Sequence, residues 1–535
     1  METILLDGQN AQDIRRAGEI LQKGGLVAIP TETVYGLAGN ALCGETVKKI
    51  YQAKGRPSDN PLIVHINKTE QLASLVQEVP ESAQKLAEAF WPGPLTMILP
   101  KSSLIPPETS GGLSTVAVRC PSHPVARAVI EAAGLPLAAP SANLSGRPSP
   151  TTFAHVQADL TGRVDALLDG GDCQVGVEST VITLAEETPR LLRPGGVTLA
   201  QLRRVLGEVV VDPAVLHRME EGQRAASPGM KYKHYAPAAE VVLVDASPEE
   251  YADYVNARGD GWALCFTETV SRMEVPVLPY GGRYDGASQA HVLFDALHRL
   301  DVQGIKKAYA QMPSKRGVGL AVYNRLIRAA GFQVINPQSH HILGLTGPSG
   351  AGKSTVGEIL RRQGCFVIDC DQVTRSPQVY DAACLEELSQ AFGPEVLQKG
   401  ALNRQELARR AFSSQKARAR LGEITFPRIL RQVRACMREG QEQGFSLLVL
   451  DAPTLFEAGL DGACSRILVV DAPKEERLRR ILRRDGLSEE AALRRLEAQP
   501  SGDFYTSRAD WVVENGPGAD LEASVAALLD DLRPE

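Results

Sequence analysis

The run Gly347-Pro348-Ser349-Gly350-Ala351-Gly352-Lys353-Ser354 stands between a buried-strand pattern at 342–346 and a helical pattern at 353–362. No other feature restricts the last third of the chain as strongly. In a strand–GxxxxGK[ST]–helix unit, glycines let the backbone curl until successive N–H groups point at phosphate oxygens. The helix opening at that point adds the partial positive charge of its N-terminus. Lys353 would neutralise the β- and γ-phosphates of a nucleotide, and Ser354 would offer a hydroxyl to Mg²⁺, with Thr355 next in the first helical turn. Residues 341–535 are therefore expected to form a P-loop NTPase-fold domain with a parallel sheet.

At 535 residues the chain exceeds one core, and about 100–200 residues per domain predicts three or four. A net charge of −6 builds in no bulk attraction to nucleic acid or anionic membrane, so an RNA contact would need a local basic patch. The nine cysteines are scattered, odd in number and free of any CxxC pair, which points to free thiols and away from disulfides or zinc. Met1-Glu2-Thr3-Ile4 is not a basic stretch leading into an apolar one, and no run approaches about 18 uninterrupted apolar residues. The expectation is a cytoplasmic protein.

Over 1–205 short β-type runs (26–29, 62–66, 96–99, 115–118 and 179–184) alternate with helical patterns such as 81–90 and 124–133, which predicts a mixed α/β domain. Across 206–239, Pro213, Gly222, Pro228, Gly229 and Pro237 break any long element, as in a linker. Its segment Ser227-Pro228-Gly229-Met230-Lys231-Tyr232-Lys233-His234-Tyr235-Ala236-Pro237 is too particular for a passive spacer. A second, small α/β unit spans 240–337, and Gln338-Ser339-His340-His341 leads into the P-loop domain.

The chemistry divides between the two ends. In the last third, Val367-Ile368-Asp369-Cys370-Asp371 is expected to end a strand with two carboxylates, at the edge where open α/β sheets bind ligands. One carboxylate there can accept the proton of an attacking hydroxyl; the pair can equally be a solvated loop. A buried run at 447–450 brings Asp451 to the same edge. Arg477, Arg479, Arg480, Arg483, Arg484, Arg494 and Arg495 suit either a solvated helix face or a lid over a transferring phosphoryl group. In the first domain Lys54 and Arg56 stand two apart in a Gly/Pro-bounded turn and suit a polyphosphate or carboxylate. Thr31 and Thr33, His65, Arg119, Arg193 and the loop Pro140-Ser141-Ala142-Asn143-Leu144-Ser145-Gly146 add hydroxyls, an amide and further cations at strand ends. No nucleophile–base pair and no metal-ligand spacing occurs, so the chemistry suggested is the binding and positioning of anionic reactants; solvated polar loops are the plain alternative.

At this point two resemblances become specific. Residues 341–535 resemble dephospho-CoA kinases, on the P-loop, the Val-Ile-Asp-x-Asp run and Asp451-Ala452-Pro453-Thr454-Leu455-Phe456-Glu457. Further matches are Arg483-Arg484-Asp485-Gly486-Leu487 and Ala509-Asp510-Trp511-Val512-Val513-Glu514-Asn515-Gly516. The resemblance implies transfer of the ATP γ-phosphoryl group to the 3′-hydroxyl of dephospho-CoA. Asp371 would be the base, Gly350, Ala351, Gly352, Lys353, Ser354 and Thr355 the ATP cradle, and Ser354 a ligand of Mg²⁺. Departures are Phe426-Pro427 for the common His-Pro, Cys370 for alanine and Asn403 for aspartate.

Residues 1–337 resemble the long, two-domain form of threonylcarbamoyl-AMP synthase: a YrdC-like α/β domain, a linker and a small Rossmann-like α/β domain. The resemblance rests on Lys54-x-Arg56 with Ser141-x-Asn143, the 227–237 segment and Gly317-Val318-Gly319-Leu320-Ala321-Val322-Tyr323-Asn324-Arg325-Leu326. It implies that L-threonine, bicarbonate or CO₂, and ATP become threonylcarbamoyl-AMP and pyrophosphate. Threonine would be held by Thr33, His65, Arg119, Ala139 and Ser179. ATP would be held by Arg56, Asn60, Thr115, Ser141, Asn143, Ser149, Arg193 and Tyr232, with Lys54 and Arg56 acting on the reacting groups. Tyr232 would make the linker a lid, and 240–337 would be regulatory or structural. The product would pass to a tRNA threonylcarbamoyl transferase complex. The competing reading is an RNA-binding YrdC-like module fused to a nucleoside or nucleotide kinase.

Overall fold

Short runs rich in Val, Ile and Leu become strands, and the amphipathic runs between them become helices. The computed structural model describes residues 2–217, 235–337 and 341–532. The expected runs of the first domain fold as Val27–Ile29, Ile63–His65, Leu95–Pro100, Thr115–Arg119 and Thr180–Thr183, with helices at Glu81–Phe90 and Pro124–Ala133. Pro124 supplies the preset φ of the first helical turn, and Gly134 ends that helix at φ +64°, a left-handed conformation that glycine adopts without strain.

Contacts divide the chain into two compact units, Met1–Val244 with Ala252–Ile335, and Asn336–Glu535 with Asp245–Tyr251. The first unit holds two sheets. Its larger one is mixed and has eleven strands, with Leu137–Ala138, Ile63–His65, Thr115–Arg119, Leu95–Pro100 and Thr180–Thr183 side by side near the middle. The strand period of two sorts the side chains here. Val64, Ile66, Val116, Val118, Leu95, Met97 and Leu99 enter the main core. The alternate residues, among them His65, Thr96 and Arg119, point to the opposite face. Register then lines up the polar ones, His65 opposite Arg119 and Arg119 opposite Thr96.

The smaller sheet is wholly parallel, in the order Val277–Pro279, Trp262–Cys265, Lys307–Gln311, Glu240–Val244, Val334–Ile335. Helices Gly286–Val302 and Gly319–Ala329 pack on it. Their apolar cluster takes in Val34 and Val177 of the larger sheet's loops together with Tyr235, so the small sheet's core reaches into the loops of the larger one.

The second unit is a five-stranded parallel sheet ordered Phe366–Asp369, Leu447–Asp451, His341–Thr346, Arg466–Asp471, Trp511–Glu514. It has the parallel α/β architecture that the P-loop requires. One local expectation is corrected. Asp371 does not end a strand: the strand stops at Asp369, whose carboxylate accepts the Gln372 N–H at 3.0 Å and so caps the short helix Cys370–Val373. Asp371 falls in the first turn of that helix and is exposed. Asn403 likewise caps Arg404–Ala411, accepting the Glu406 N–H at 3.2 Å, a task aspartate performs equally well.

Candidate active sites

In the first unit, loops at the strand ends are stitched into one cavity wall. Leu37 N–H donates to Pro140 O at 2.7 Å, Ala142 N–H to Tyr35 O at 2.8 Å and Ser145 N–H to Lys54 O at 2.9 Å. The cavity is lined by Thr33, Lys54, Arg56, His65, Arg119, Ala139, Ser141, Asn143, Ser179 and Arg193, residues far apart in sequence that were each expected at a site. It is also lined by Glu178 and Tyr235, which were not. Asn60, Thr115 and Ser149 are not in this lining. Asn60 is buried beside Arg56, whose guanidinium donates to the Asn60 carbonyl at 3.5 Å. Thr115 starts the strand that Arg119 ends, roughly 13 Å away along it at about 3.3 Å per residue. Tyr232 lies outside the described residues.

Five cationic side chains, Lys54, Arg56, Arg119, Arg147 and Arg193, therefore line one cavity. Lys54 is buried and donates to the carbonyls of Ser141 and Asn143, the latter at 2.5 Å, and to Asn143 Oδ1 at 3.4 Å. Burial, and after it the charge of Arg56, holds its ammonium well below the usual lysine range. Burial likewise brings Arg56 down to about 10. Its Nε has no hydrogen-bond partner among the described residues. Arg193 is tied to Ser179, donating from Nε to the carbonyl at 3.1 Å and from Nη2 to the hydroxyl at 3.1 Å. Glu32 and Glu178 offset part of this charge, and the excess of cations that is left suits an anionic ligand.

Arg119 is not an open fork. Its Nη2 lies 2.6 Å from Glu32 Oε1, and Nη1 donates to Thr33 Oγ1 at 2.9 Å. Glu32 is buried; burial pushes its carboxyl up, but the Arg119 charge and hydrogen bond outweigh this and hold it below the usual range. The sequence offered a sign of Glu32 in Thr31-Glu32-Thr33, yet a lone acidic residue in a polar loop does not announce a buried partner. Burial, and next the charge of Arg119, depresses His65 to about 3, so its ring is neutral at pH 7. Its Nδ1 is 3.1 Å from the Ile63 carbonyl, which makes Nδ1 the protonated nitrogen and leaves Nε2 as an acceptor.

Tyr235 has the positive φ of 64°, strained for a side chain of this size. The Ala236 N–H bonded to Gly146 O at 3.0 Å and the Phe294 ring, 5.4 Å away between centroids, hold it there. Phe294 belongs to the small sheet's helix Gly286–Val302, a contribution that sequence reading had not assigned to 240–337.

In the second unit Gly352 begins helix Lys353–Arg362 at φ +105°, with the Asn515 side chain against the space a Cβ would fill. Asn515 donates to Ala351 O at 2.7 Å, and Arg480 donates to Gly350 O and Ala351 O at 3.3 and 3.2 Å and to Asn515 O at 2.9 Å. Arg480 thus braces the P-loop, in contrast to Arg479, Arg483 and Arg494, which are exposed. Lys353 donates to the Gly347 carbonyl at 2.7 Å. Burial lowers it, while Asp451 and Asp371 pull the other way. Burial raises Asp451 to about 6 in spite of Lys353, and Asp369 and Asp371 add to the rise. Ser354 and Thr355 are exposed in the first turn beside Lys353.

Comparison with known proteins accounts for both units. Three family models match: one described as telomere recombination at residues 19–195, one as threonylcarbamoyl-AMP synthase, C-terminal domain, at 197–331, and one as dephospho-CoA kinase at 341–520. The threonylcarbamoyl-AMP synthase of Pyrococcus abyssi is 46% identical over 332 residues, 60% of this chain and 95% of the relative; that of Bacillus subtilis is 45% identical over 61% and 95%. The dephospho-CoA kinase of Corynebacterium diphtheriae is 42% identical over 35% of this chain and 94% of its own length. Among solved structures, Pyrococcus abyssi Sua5 complexed with L-threonine is 43% identical and superposes with a TM-score of 0.59, covering 63% of this chain and 100% of that one.

Proposed function

We propose a division of labour among the residues of this chain from the premise that it belongs to two families at once, the threonylcarbamoyl-AMP synthases and the dephospho-CoA kinases. It is a bifunctional enzyme. One activity makes threonylcarbamoyl-AMP and pyrophosphate from L-threonine, bicarbonate or CO₂, and ATP, for tRNA modification. The other phosphorylates the 3′-hydroxyl of dephospho-CoA with ATP.

In the synthase site, Arg119 receives the threonine carboxylate, its plane kept in place by Glu32 and Thr33. Ser179 and the Ala139 backbone complete that end, and the neutral His65 offers Nε2 to a donor of threonine. The threonine nitrogen adds to the carbon of CO₂ and loses a proton, giving a carbamate. A carbamate oxygen then bonds to the α-phosphorus of ATP as the α–β bridging bond breaks and pyrophosphate leaves. Lys54, Arg56, Ser141, Asn143 and Arg193 face the phosphates, with Asn60, Ser149 and Thr115 supporting that side. The observation that carries this reading is the gathering of Lys54, Arg56, Arg119 and Arg193 around one cavity beside a neutral histidine. Positioning and electrostatics suffice for such a reaction.

In the kinase site the Gly350, Ala351 and Gly352 backbone with Lys353, Ser354 and Thr355 holds the ATP phosphates. The acceptor 3′-oxygen bonds to the γ-phosphorus, the β–γ bridging bond breaks, ADP leaves, and Asp371 takes the hydroxyl proton. The oxygen donors beside Lys353 fit Mg²⁺, which takes one or two protein oxygens and completes its shell with water and phosphates. Ser354 would hold it, and when bound it would offset the charge of the β- and γ-phosphates.

We place both activities in the cytoplasm, in keeping with nine free cysteines, and expect the adenylate to pass to a tRNA threonylcarbamoyl transferase complex. Among the described residues no helix is long and apolar enough to cross a membrane. One assay on the intact chain tests the whole reading. Pyrophosphate release must require threonine, and ADP release must require dephospho-CoA in preference to adenosine or AMP. Threonine-independent pyrophosphate release, or equal use of the three acceptors, would overturn the corresponding half.

A further inference from the structure

The segment 317–326, prominent in sequence and given no task by the chemistry above, sends one arginine to the back wall of the synthase cavity. Arg325 lies in helix Gly319–Ala329 and is fully buried. Its guanidinium reaches away from its own sheet. Nε donates to Glu178 Oε2 at 2.9 Å, Nη1 to Pro194 O at 2.7 Å and to Asn324 Oδ1 at 3.1 Å, and Nη2 to Glu178 O at 3.5 Å. Its Cζ stands 5.7 Å from the centre of the Tyr235 ring.

Glu178 passes the constraint on. Its other carboxylate oxygen accepts the Ser149 hydroxyl, and the next residue, Ser179, is the anchor of Arg193. One guanidinium therefore fixes a carboxylate, the peptide that follows it and an aromatic ring, all on the wall facing the expected triphosphate. Sealing the interface needs none of this. Ala321, Val322, Leu326, Ile327 and Ala329 of the same helix already belong to the apolar cluster that takes in Val34 and Val177. An ion pair taken out of water costs several kcal/mol per ion that a well-packed apolar pair avoids. What the charged pair adds is direction: a forked donor admits one orientation of Glu178.

We propose that Arg325 is a positioning residue of the synthase reaction, holding Glu178 and through it Ser149 and the Ser179–Arg193 pair in the arrangement that receives ATP. The small sheet is then part of the active site's framework. This rests on the assignment of Ser149 and Arg193 to the ATP side. The burial of Glu178 agrees with it: burial alone would raise the carboxyl, yet Arg325 and then Arg193 hold it below the usual range.

The test uses the full chain and two near-isosteric changes. Arg325→Lys keeps the charge and loses the fork, and Glu178→Gln keeps the shape and loses the charge. With threonine and bicarbonate saturating, each is expected to raise the KM for ATP about tenfold while the KM for threonine moves less than about threefold. The double variant is expected to be no worse than the poorer single one, because both break one unit. Two results overturn the proposal: a KM for ATP within about twofold of wild type in both variants, or an equal rise in every KM accompanied by a lower unfolding temperature, as a purely structural role gives. In the first case Ser149→Ala and Arg193→Lys separate the causes. If they raise the KM for ATP, the proposal alone fails; if they do not, the ATP-side assignment fails with it.

Discussion

Arg119 and Glu32 meet at 2.6 Å with side chains only 5% and 4% exposed, a buried ion pair inside the cavity expected to hold threonine. A carboxylate so placed does two things. It fixes the guanidinium plane, and it lowers the charge that a substrate carboxylate would meet. The pair also ties stability to pH, since folding holds the Glu32 carboxyl below its unfolded value of 4.5. A depressed acid contributes stability that is present above the unfolded pKa and lost as pH falls through the folded one.

Thermal unfolding of the synthase unit should therefore lose stability as pH drops below about 4.5, and Glu32→Gln should remove that part of the loss. At pH 7 the same variant leaves Arg119 buried without its counter-charge, which should cost on the order of 3–5 kcal/mol. Urea unfolding at pH 7 and pH 4 measures both. An unchanged midpoint at pH 7 would show the pair to be worth nothing.

His65 acts in the same direction but from a higher pH. Its folded pKa of about 3 lies below the ordinary histidine value of 6.5, so the unfolded chain binds a proton that the folded chain refuses. Stability should fall as pH is lowered from about 6.5, and His65→Gln should flatten this slope. In the wild type, the kcat/KM for threonine should show no limb near pH 6.5 that His65→Gln abolishes. Finding such a limb would mean that the imidazole titrates in solvent.

Lys353→Ala should reduce dephospho-CoA phosphorylation on the order of 10²–10³-fold, as expected when one charge-stabilising donor is lost. Threonine-dependent pyrophosphate release should stay at the wild-type rate, since the phosphate side proposed for it draws on Lys54, Arg56 and Arg193, all in the other unit. A parallel loss of both activities in a folded protein would contradict two separate ATP sites.

Burial of Asp451 ties the stability of the second unit to pH. Burial lifts its carboxyl to about 6 from 3.8, so the folded state holds a proton that the unfolded state gives up across that interval. Stability of the nucleotide- and metal-free kinase unit should decline as pH rises from about 4 to about 6. Asp451→Asn should abolish the decline and raise the unfolding temperature at pH 8. A lower unfolding temperature there would mean that the attraction of Lys353 outweighs burial.

Local pattern carried much of the fold. The run Lys353–Arg362 is a helix because its apolar residues recur at helical spacing behind a glycine loop, and Glu81–Phe90 and Pro124–Ala133 begin and end where prolines, glycines and periodicity place them. Even the alternation that separates His65 and Arg119 from the core is a property of each strand alone. Asp371 falls outside the strand because Asp369 both ends the strand and caps the helix that follows, which local pattern does not distinguish from a strand running on.

What the sequence determined by itself was therefore chemical inventory and local form: a phosphate-binding loop, cations at strand ends, and an Arg-bearing helix of unstated purpose. Partnership was decided only in three dimensions. Glu32 lies 87 positions from Arg119, Glu178 lies 147 from Arg325, and Arg480 lies 130 from Gly350. Such pairs leave no periodic trace, because what unites them is sheet register and the packing of helices on sheets. Burial then gives each contact its strength: the same Arg and Glu exposed to water would contribute about 0–1 kcal/mol and orient nothing. In the Arg119–Glu32 pair, the sequence supplied both charges and the tertiary fold removed the water between them.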